Sequence, residues 1–229
     1  MLKEALNFFF PIVCVICKTE CNSSICTSCY RTMIQITSET FCIVCAKKLR
    51  FKDLRCIECS SIFHYFHDSK SLFLYEKATR EIVKQLKFYR NTYVAKIMAV
   101  LIVKKFRQYI ENYDIIIPVP SSKQQIFKRS FNPASLLAMH ISKKCNVKYV
   151  CNFLTKKHHT RSQHTIKNKE TRLQNIRGSF AVRKSPFFGS KVLIIDDVIT
   201  TGATIHECAK SLYNHVSSIG ILSFARVLL

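Results

Sequence analysis

Two adjacent acids, Asp196 and Asp197, follow an apolar run at residues 192–195, and a loop with threonines and a glycine follows at residues 200–204. The apolar run is typical of a buried strand, and open parallel sheets bind ligands beyond the carboxyl ends of their strands. The loop leads into a predicted helix, where amide N–H groups, threonine hydroxyls and a glycine form a cradle suited to a phosphate. Carboxylates would repel that phosphate unless they bind sugar hydroxyls of the same ligand, or a magnesium ion bridging to them. The stretch therefore predicts a site for a ribose 5-phosphate.

Other nucleotide-binding signatures are missing from the sequence. It contains no G-x-x-x-x-G-K-[ST] and no G-x-G-x-x-G, which argues against a P-loop ATPase and a dinucleotide-binding fold. Paired aspartates also hold magnesium in phosphatases and receiver domains, but that interpretation leaves the Thr-Thr-Gly-x-Thr loop unexplained. A purely structural turn is disfavoured because two buried adjacent aspartates without partners would be costly.

Eight of the twelve cysteines form four Cys-x-x-Cys pairs near the start of the chain. The pairs are Cys14/Cys17, Cys26/Cys29, Cys42/Cys45 and Cys56/Cys59. Two thiolates three residues apart can face one ion, and two such pairs complete a tetrahedron, so the eight ligands suit two zinc ions. Consecutive and interleaved pairing are both possible. Disulfides would need an oxidising compartment, and iron–sulfur ligation is the remaining alternative; the four regular pairs favour zinc.

The cysteine-rich segment is predicted to depend on its metal. Residues 14–60 carry too few apolar side chains to fold unaided, so the zinc ions are expected to be structural and not catalytic. Cys21 breaks the pattern and is interpreted as a spare thiol. Cys145, Cys151 and Cys208 lie in apolar or helical contexts and are interpreted as small core residues.

The chain is strongly basic. Its 229 residues include 36 Lys and Arg against 14 Asp and Glu, for a formal charge of +22. Residues 61–191 hold 26 of the basic and only 6 of the acidic residues, whereas residues 1–60 hold 8 and 5. This excess favours polyanionic partners such as nucleic acid or phosphorylated metabolites, with plain solubility as the alternative.

The apolar runs are too short to predict a membrane span. None approaches the roughly 18 residues that a bilayer requires. The apolar stretch at residues 6–13 leads directly into cysteines and has no cleavage site, so a signal peptide is not expected. A cytoplasmic location is the expectation that follows.

Short apolar runs alternate with amphipathic ones after residue 70, which predicts an α/β fold with a mainly parallel sheet covered on both faces. The predicted strands are 71–75, 114–119, 147–151, 192–195 and 218–224, and the predicted helices are 77–88, 93–109, 134–144 and 203–215. Asn132 and Pro133 are expected to cap and start the third helix. Residues 156–188 are polar and basic, and predict a long functional loop over the sheet edge with one short helix near 170–175. We expect a zinc-ribbon module at 1–62 and the sheet domain at 63–229.

The acid pair and its loop resemble the binding loop for phosphoribosyl pyrophosphate (PRPP) in type I phosphoribosyltransferases. The likeness to one branch, the ComF family of bacterial competence proteins, extends along nearly the whole chain. Besides the cysteine pairs and the loop, its blocks are Leu86-Lys87-Phe88, Pro118-Val119-Pro120, Arg129-Ser130-Phe131-Asn132, and Gln163 through Asn175-Ile176-Arg177-Gly178-Ser179-Phe180. Ser130 and Pro133 replace the glycine and glutamine of the Gly-Phe-Asn-Gln version usual in that family.

The resemblance assigns roles residue by residue. It implies that Asp196 and Asp197 are the catalytic pair and hold the ribose hydroxyls, with magnesium bound together with PRPP. The 5-phosphate would lie in the loop whose members are Val198, Thr200, Thr201, Gly202, Ala203 and Thr204. Pyrophosphate would contact Ser121, Ser122 and Lys123. Arg161 and Arg172 would be the main charges of a flexible loop that closes over it.

Three functions follow from the resemblance. The favoured one is handling of single-stranded DNA during natural transformation on a PRPP-binding fold, with basic faces for the phosphates. Aromatic candidates for base stacking are Phe88, Tyr89, Tyr93, Phe127, Phe131, Phe153, Phe187 and Phe188. The second is an active phosphoribosyltransferase of nucleotide salvage, in which a nitrogen nucleophile displaces pyrophosphate. The third is a zinc module that docks partner proteins such as a helicase.

Overall fold

The structure is a computed structural model, and it describes residues 12–37, 40–45, 47–49, 54–157, 178–183 and 186–228. We number its elements in chain order as α1 Thr27–Arg31, α2 Ile57–Ser60, β1 Asp68–Leu74, α3 Lys77–Lys87, α4 Tyr93–Glu111, β2 Ile115–Pro118, α5 Lys123–Arg129, α6 Pro133–Cys145, β3 Lys148–Tyr149, β4 Leu154–Lys156, β5 Phe180–Val182, β6 Lys191–Ile199, α7 Ala203–Leu212 and β7 Ser218–Arg226. No helix in these ranges is both long and apolar enough to cross a membrane.

Five strands form one parallel sheet in the order β1-β7-β6-β2-β3, which confirms the predicted fold class. The apolar run of β6 is central and buried on both faces, as expected for a strand of continuous Val, Leu and Ile. Its side chains alternate, so that Leu193 and Ile195 join the core on one face while Val192 and Ile194 join the core on the other. The sheet thus separates two apolar layers.

Helices cover both faces of the sheet. Leu86 of α3, Met98 of α4 and Leu137 of α6 are fully buried in one layer, and Leu212 of α7 is fully buried in the other. Each such side chain contributes about 1.5–3 kcal/mol through removal from water. The helices therefore hold the ends of β2 and β6 in fixed positions, and those ends form the candidate site.

The predicted strands and helices are found, and most of their ends lie within two or three residues of the predicted ones. Asn132 accepts a hydrogen bond from the amide of Ala134 and Pro133 starts α6, as predicted. The short helix α5 and the antiparallel hairpin of β4 and β5 were missed. The short helix predicted near 170–175 lies outside the described residues.

The end of β6 differs from the prediction. The strand was expected to end at Ile195, but it continues through Asp196 and Asp197 to Ile199, paired with β7. Two acids are tolerated inside a central strand because each carboxylate accepts a backbone N–H. Asp196 Oδ1 accepts from the amide of Asp197 at 2.9 Å, and Asp197 Oδ1 accepts from Val198 at 2.8 Å.

The cysteines outside the four pairs divide into two groups. Cys145 and Cys208 are buried, as predicted. The prediction for Cys151 is wrong, because this residue follows β3 at the sheet edge and is exposed. Cys21 is partly exposed, and its thiol donates to the carbonyl of Ser23.

Gly220 in β7 is expected to tolerate no side chain. A Cβ at this position would overlap Oη of Tyr113 and lie 2.7 Å from Oη of Tyr109, which donates to Asp68. Gly220→Ala is expected to lower stability by about 1–3 kcal/mol, because the two rings must shift. Thermal unfolding should detect a fall in Tm of about 2–4 °C per kcal/mol. Adding Tyr113→Phe should recover part of the loss, and an unchanged Tm for Gly220→Ala would contradict this packing.

Candidate functional site

A cleft of about 180 Å³ lies at the carboxyl edge of the sheet, where β2 and β6 end. It is lined by Lys87, Val119, Pro120, Ser121, Gln125, Arg129, Asn132, Pro133, Ala134, Lys156, Asp196, Asp197, Val198 and Thr204. Five of the residues that the sequence assigned to ligand binding are in this lining, namely Asp196, Asp197, Val198, Thr204 and Ser121. The edge is the one at which parallel sheets bind ligands.

The side chains of Asp196 and Asp197 point to opposite faces of the sheet, since successive side chains of a strand alternate. Asp197 is 4% exposed, and its Oδ2 lies 2.9 Å from Nζ of Lys87 at the end of α3. Asp196 is half-buried on the other side and also lines the cleft. The pair therefore presents one carboxylate that is neutralised by a lysine and one that is available to a ligand.

The environment of Asp196 favours its neutral form. Burial raises the pKa of Asp196 well above its ordinary value, and the adjacent charge of Asp197 raises the pKa further. The Lys87 cation opposes both effects. A bound cation would stabilise the ionised carboxylate in the same way, so metal binding here is expected to release a proton.

The loop at residues 200–204 places the start of α7 beside the acids. Gly202 is the residue before the helix and has φ +76°, a left-handed conformation that favours glycine. A Cβ at Gly202 would meet no heavy atom within 4 Å, so the space in front of the helix start is open. Thr201 accepts from the amide of Ala203 through Oγ1 at 3.4 Å. This arrangement is typical of a phosphate cradle, although only Thr204 of the loop lines the cleft itself.

Of the three residues expected to contact pyrophosphate, only one lines the cleft. Ser121 follows β2 and lines the cleft. Ser122 caps α5, because its hydroxyl accepts from the amide of Gln125 while its own amide donates to the Gln125 side chain. Lys123 is exposed at the first position of α5 and does not line the cleft. The capping box thus orients Gln125, which does line it.

Three cations of the cleft were not predicted as site residues. Lys87 and Arg129 lie in the blocks that carry the family resemblance, so the signal was present, but it was not assigned a role. Lys156 ends β4, immediately before the polar segment. Together with the half-neutralised acids, these cations make the cleft suited to a ligand with several negative charges.

Arg161 and Arg172 lie outside the described residues. The chain on both sides of them is described, since Lys156 pairs with Phe180 and the amide of Lys157 donates to Ser179 at 2.7 Å. The amide of Gly178 also donates to Glu207 of α7. Of these flanking residues, Lys156 lines the cleft.

A larger cavity, of about 720 Å³, lies elsewhere. Its lining includes the first half of β1, the segment 104–109 of α4 and Cys42. The first half of β1 belongs to the amino edge of the parallel sheet, opposite to the edge where such folds bind ligands. The smaller cleft is therefore the better candidate for the chemistry.

The eight paired cysteines form two clusters with consecutive pairing. One holds Cys14, Cys17, Cys26 and Cys29, the other Cys42, Cys45, Cys56 and Cys59, and within each cluster all sulfur atoms lie within 4.8 Å of one another. The sulfur atoms of Cys17 and Cys26 are 3.7 Å apart, and those of Cys45 and Cys56 are 3.6 Å apart. A zinc tetrahedron with bonds of about 2.3 Å has edges of about 3.8 Å, whereas a disulfide requires about 2.05 Å. The donor sets fit two structural zinc ions.

Both clusters are attached to the sheet at its β1 edge. Residues 34–36 pair with β1, since the amide of Ile36 donates to Leu72 and the amide of Leu74 donates to Ile34. In the second cluster, Arg226 of β7 donates to the carbonyl of Val44. The cysteine-rich segment thus wraps around the edge strand. The division of the chain at residues 62 and 63 stays a prediction.

The eight aromatic stacking candidates differ in exposure. Phe153 is fully buried, and Phe131 and Phe187 are partly buried against the two cores. The exposed ones are Phe88, Tyr89, Tyr93, Phe127 and Phe188. The sequence could not separate these groups, because aromatic residues of a loop and of a core look alike without the fold.

The fold and site define a class, a parallel α/β protein with an acid pair and a threonine–glycine loop at one sheet edge and two four-cysteine clusters before it. No family model matches the chain. Its homologues include Competence protein F of Haemophilus influenzae, which is 26% identical over 214 residues, 89% of this chain and 92% of that protein. DNA utilization protein YhgH of Escherichia coli K12 is 24% identical over 95% of this chain and 98% of that protein. Competence protein ComFC of Bacillus subtilis is 21% identical over 99% of both chains. The predicted resemblance is confirmed.

The solved structures that match include proteins named as phosphoribosyltransferases. Purine phosphoribosyltransferase of Pyrococcus horikoshii matches with 15% identity and a TM-score of 0.37, over 58% of this chain and 81% of that chain. Glutamine PRPP amidotransferase of Bacillus subtilis matches with 12% identity and a TM-score of 0.37. The match covers 57% of this chain but only 26% of that enzyme.

Proposed function

We propose that this protein handles incoming single-stranded DNA in natural transformation and that its cleft binds PRPP together with magnesium. The observation that carries the proposal is homology over nearly the full length to proteins named competence protein F and ComFC. The cleft supports the second part, because it joins an acid pair to a phosphate-type loop at the ligand-binding edge of the sheet.

The residues of the cleft fit the parts of PRPP. Asp196 and Asp197 suit the two ribose hydroxyls, and the loop around Gly202 suits the 5-phosphate. Magnesium prefers carboxylate oxygens, and Asp196 is the available one because Asp197 is paired with Lys87. The ion would neutralise charge on the pyrophosphate.

The cations of the cleft suit the pyrophosphate itself. Lys87, Arg129 and Lys156 line the cleft beside Ser121. Arg161 and Arg172 follow Lys156 along the chain, and we assign them to closure over the same group. Such closure would exclude water from the sugar-phosphate.

We assign the two cysteine clusters to structural zinc, and we propose a reducing compartment for the protein. Thiolates bind zinc only while they stay reduced, which agrees with a cytoplasmic location. The wrapping of the clusters around β1 supports a structural role, since the metal sites hold the edge of the sheet. In this proposal the cysteine-rich segment also offers a surface for a partner such as a helicase.

Binding of single-stranded DNA is expected to weaken steeply with salt. A protein of charge +22 that contacts several phosphates should lose affinity with a log–log slope of about −0.7 for each phosphate contacted. Fluorescence anisotropy of a labelled oligodeoxythymidine between 50 and 300 mM salt measures this slope. Absence of binding at low salt, or binding that does not respond to salt, would contradict the proposal.

An active phosphoribosyltransferase of nucleotide salvage is the second candidate. The observation that favours it is that the acid pair, Thr204 of the loop and three cations line one cleft. A screen of nucleobases for pyrophosphate release from PRPP tests it, with Asp196→Asn/Asp197→Asn as the control. Turnover by the natural chain and none by the control would support the transferase. No release with any base would leave PRPP binding without transfer.

A further inference from the structure

Three large aromatic side chains are exposed within two residues of Lys87 or Arg129, which line the cleft. Phe88 and Tyr89 are 67% and 69% exposed in the turn after α3, and Phe127 is 89% exposed on α5. Exposed rings of this size that cluster on a surface usually mark a binding site. Neither the sheet nor the cysteine clusters account for them, so their exposure requires another explanation.

Two contacts join the turn after α3, which carries Phe88 and Tyr89, to α5, which carries Phe127. Arg90 donates to the carbonyl of Lys128 through Nη2 at 2.7 Å, which ties the turn after α3 to α5. The guanidinium of Arg129 lies 5.9 Å from the centre of the Phe88 ring. We call this region, made of Phe88, Tyr89, Arg90, Phe127, Lys128 and Arg129, the aromatic surface. It combines three rings with three cations.

The aromatic surface lacks acids in its neighbourhood along the chain. No Asp or Glu occurs in residues 82–110 or 115–169, which contain α5, most of α4 and the turn between α3 and α4. A protein partner with a mixed surface would find few opposite pairs here. A polyanion that also offers flat rings would satisfy both the cations and the aromatic side chains.

We infer that single-stranded DNA binds across the aromatic surface, with bases stacked on Phe88, Tyr89 and Phe127 and phosphates facing the cations. Single strands expose their bases to such rings, whereas a duplex stacks its bases inside. This inference rests on the proposed function and locates the binding of single-stranded DNA on the aromatic surface. Because Arg129 also lines the cleft and Phe88 follows Lys87, the bound strand lies next to the sugar-phosphate site.

The test compares two pairs of substitutions. Phe88→Ala/Phe127→Ala removes two rings of the aromatic surface. Phe63→Ala/Tyr213→Ala removes two exposed rings elsewhere, whose centroids are 5.7 Å apart. Affinity for labelled oligodeoxythymidine is measured by anisotropy for both variants and the natural chain, with Tm as a check on folding. The first pair should lose affinity about 30-fold or more at an unchanged salt slope, and the second pair should lose none.

A second arm tests the cations of α5. Lys123→Gln/Lys128→Gln should reduce the steepness of the salt slope by about 1.4, because two phosphate contacts are removed. A duplex of equal length should bind more weakly and respond little to the loss of the rings. The inference is overturned if the natural chain binds single strands and Phe88→Ala/Phe127→Ala binds them equally well. If the natural chain binds no single strands, the proposed function fails instead.

Discussion

Replacing Cys42 by serine is expected to reduce the zinc content from two ions to one for each chain and to lower Tm more than any other single change considered above. Cys42 is buried in the second cluster, within the apolar layer that also contains Cys56, Cys59 and Phe66. Structural zinc sites contribute on the order of 10 kcal/mol of folding free energy, comparable to the whole stability of a domain. Loss of this site should therefore release the cluster from β1 and expose apolar surface.

Elemental analysis and thermal unfolding measure the two effects. Cys151→Ser is the matched control, because Cys151 is exposed and belongs to neither cluster. It should keep two zinc ions and an unchanged Tm. Addition of a strong chelator to the natural chain should reproduce the effect of Cys42→Ser at both clusters. A Cys42→Ser variant that retains two zinc ions would contradict the assignment of this cluster.

The two acids of the cleft should respond in opposite ways to neutral substitution. Burial and the neighbouring Asp197 raise the pKa of Asp196 above its ordinary value of 3.8, so its ionised form destabilises the folded state at neutral pH. Asp196→Asn should therefore stabilise the protein, by about 1 kcal/mol. Asp197→Asn should destabilise it by about 1–3 kcal/mol, because Lys87 loses its carboxylate partner. Both variants should lose binding of PRPP with magnesium.

The pH dependence of stability gives an independent check. A raised pKa means that the folded state binds more protons than the unfolded state above pH 3.8, so this group makes stability fall as pH rises towards its raised pKa. Above that pKa the loss is complete. Denaturant unfolding at several pH values should show this fall in the natural chain and a smaller one in Asp196→Asn. PRPP binding with magnesium should change in the opposite sense, weakening as pH falls and Asp196 becomes protonated.

Equal destabilisation by both acid substitutions would contradict the assigned environments. Glu81→Gln is the control. Glu81 lies on α3, the helix that carries Lys87, but it pairs with Lys84 and does not line the cleft. This control should shift Tm by less than about 2 °C and should leave PRPP binding unchanged. A loss of binding in Glu81→Gln would indicate a general effect of charge and not a specific site.

The sequence predicted the sheet well because its strands are long apolar runs and its helices carry clear start signals. Asn132 and Pro133 placed the start of α6 correctly, and the run at 192–195 identified the central strand. The sequence predicted that β6 ends at Ile195, which is too early, because acids normally mark the end of a buried strand. Only the fold brings Lys87, more than one hundred residues earlier, against Asp197.

Other parts of the site could not be predicted for the same reason. Spacing allows the cysteines to pair consecutively or interleaved, and only the distances between their sulfur atoms in the fold decide for consecutive pairing. Ser122 looked like a phosphate contact, but its capping box with Gln125 was visible in the sequence as a serine three residues before a glutamine. The exposure of Phe88 and the burial of Phe153 depend on packing between distant elements.

Calorimetric titration of PRPP into the natural chain, with and without magnesium, tests the central assignment most directly. The acids, the loop at Gly202 and the cations of the cleft predict saturable binding of one PRPP for each chain, dependent on magnesium, and none in Asp196→Asn/Asp197→Asn. Absence of binding in the natural chain, or equal binding in the double variant, would show that this edge of the sheet is not a sugar-phosphate site.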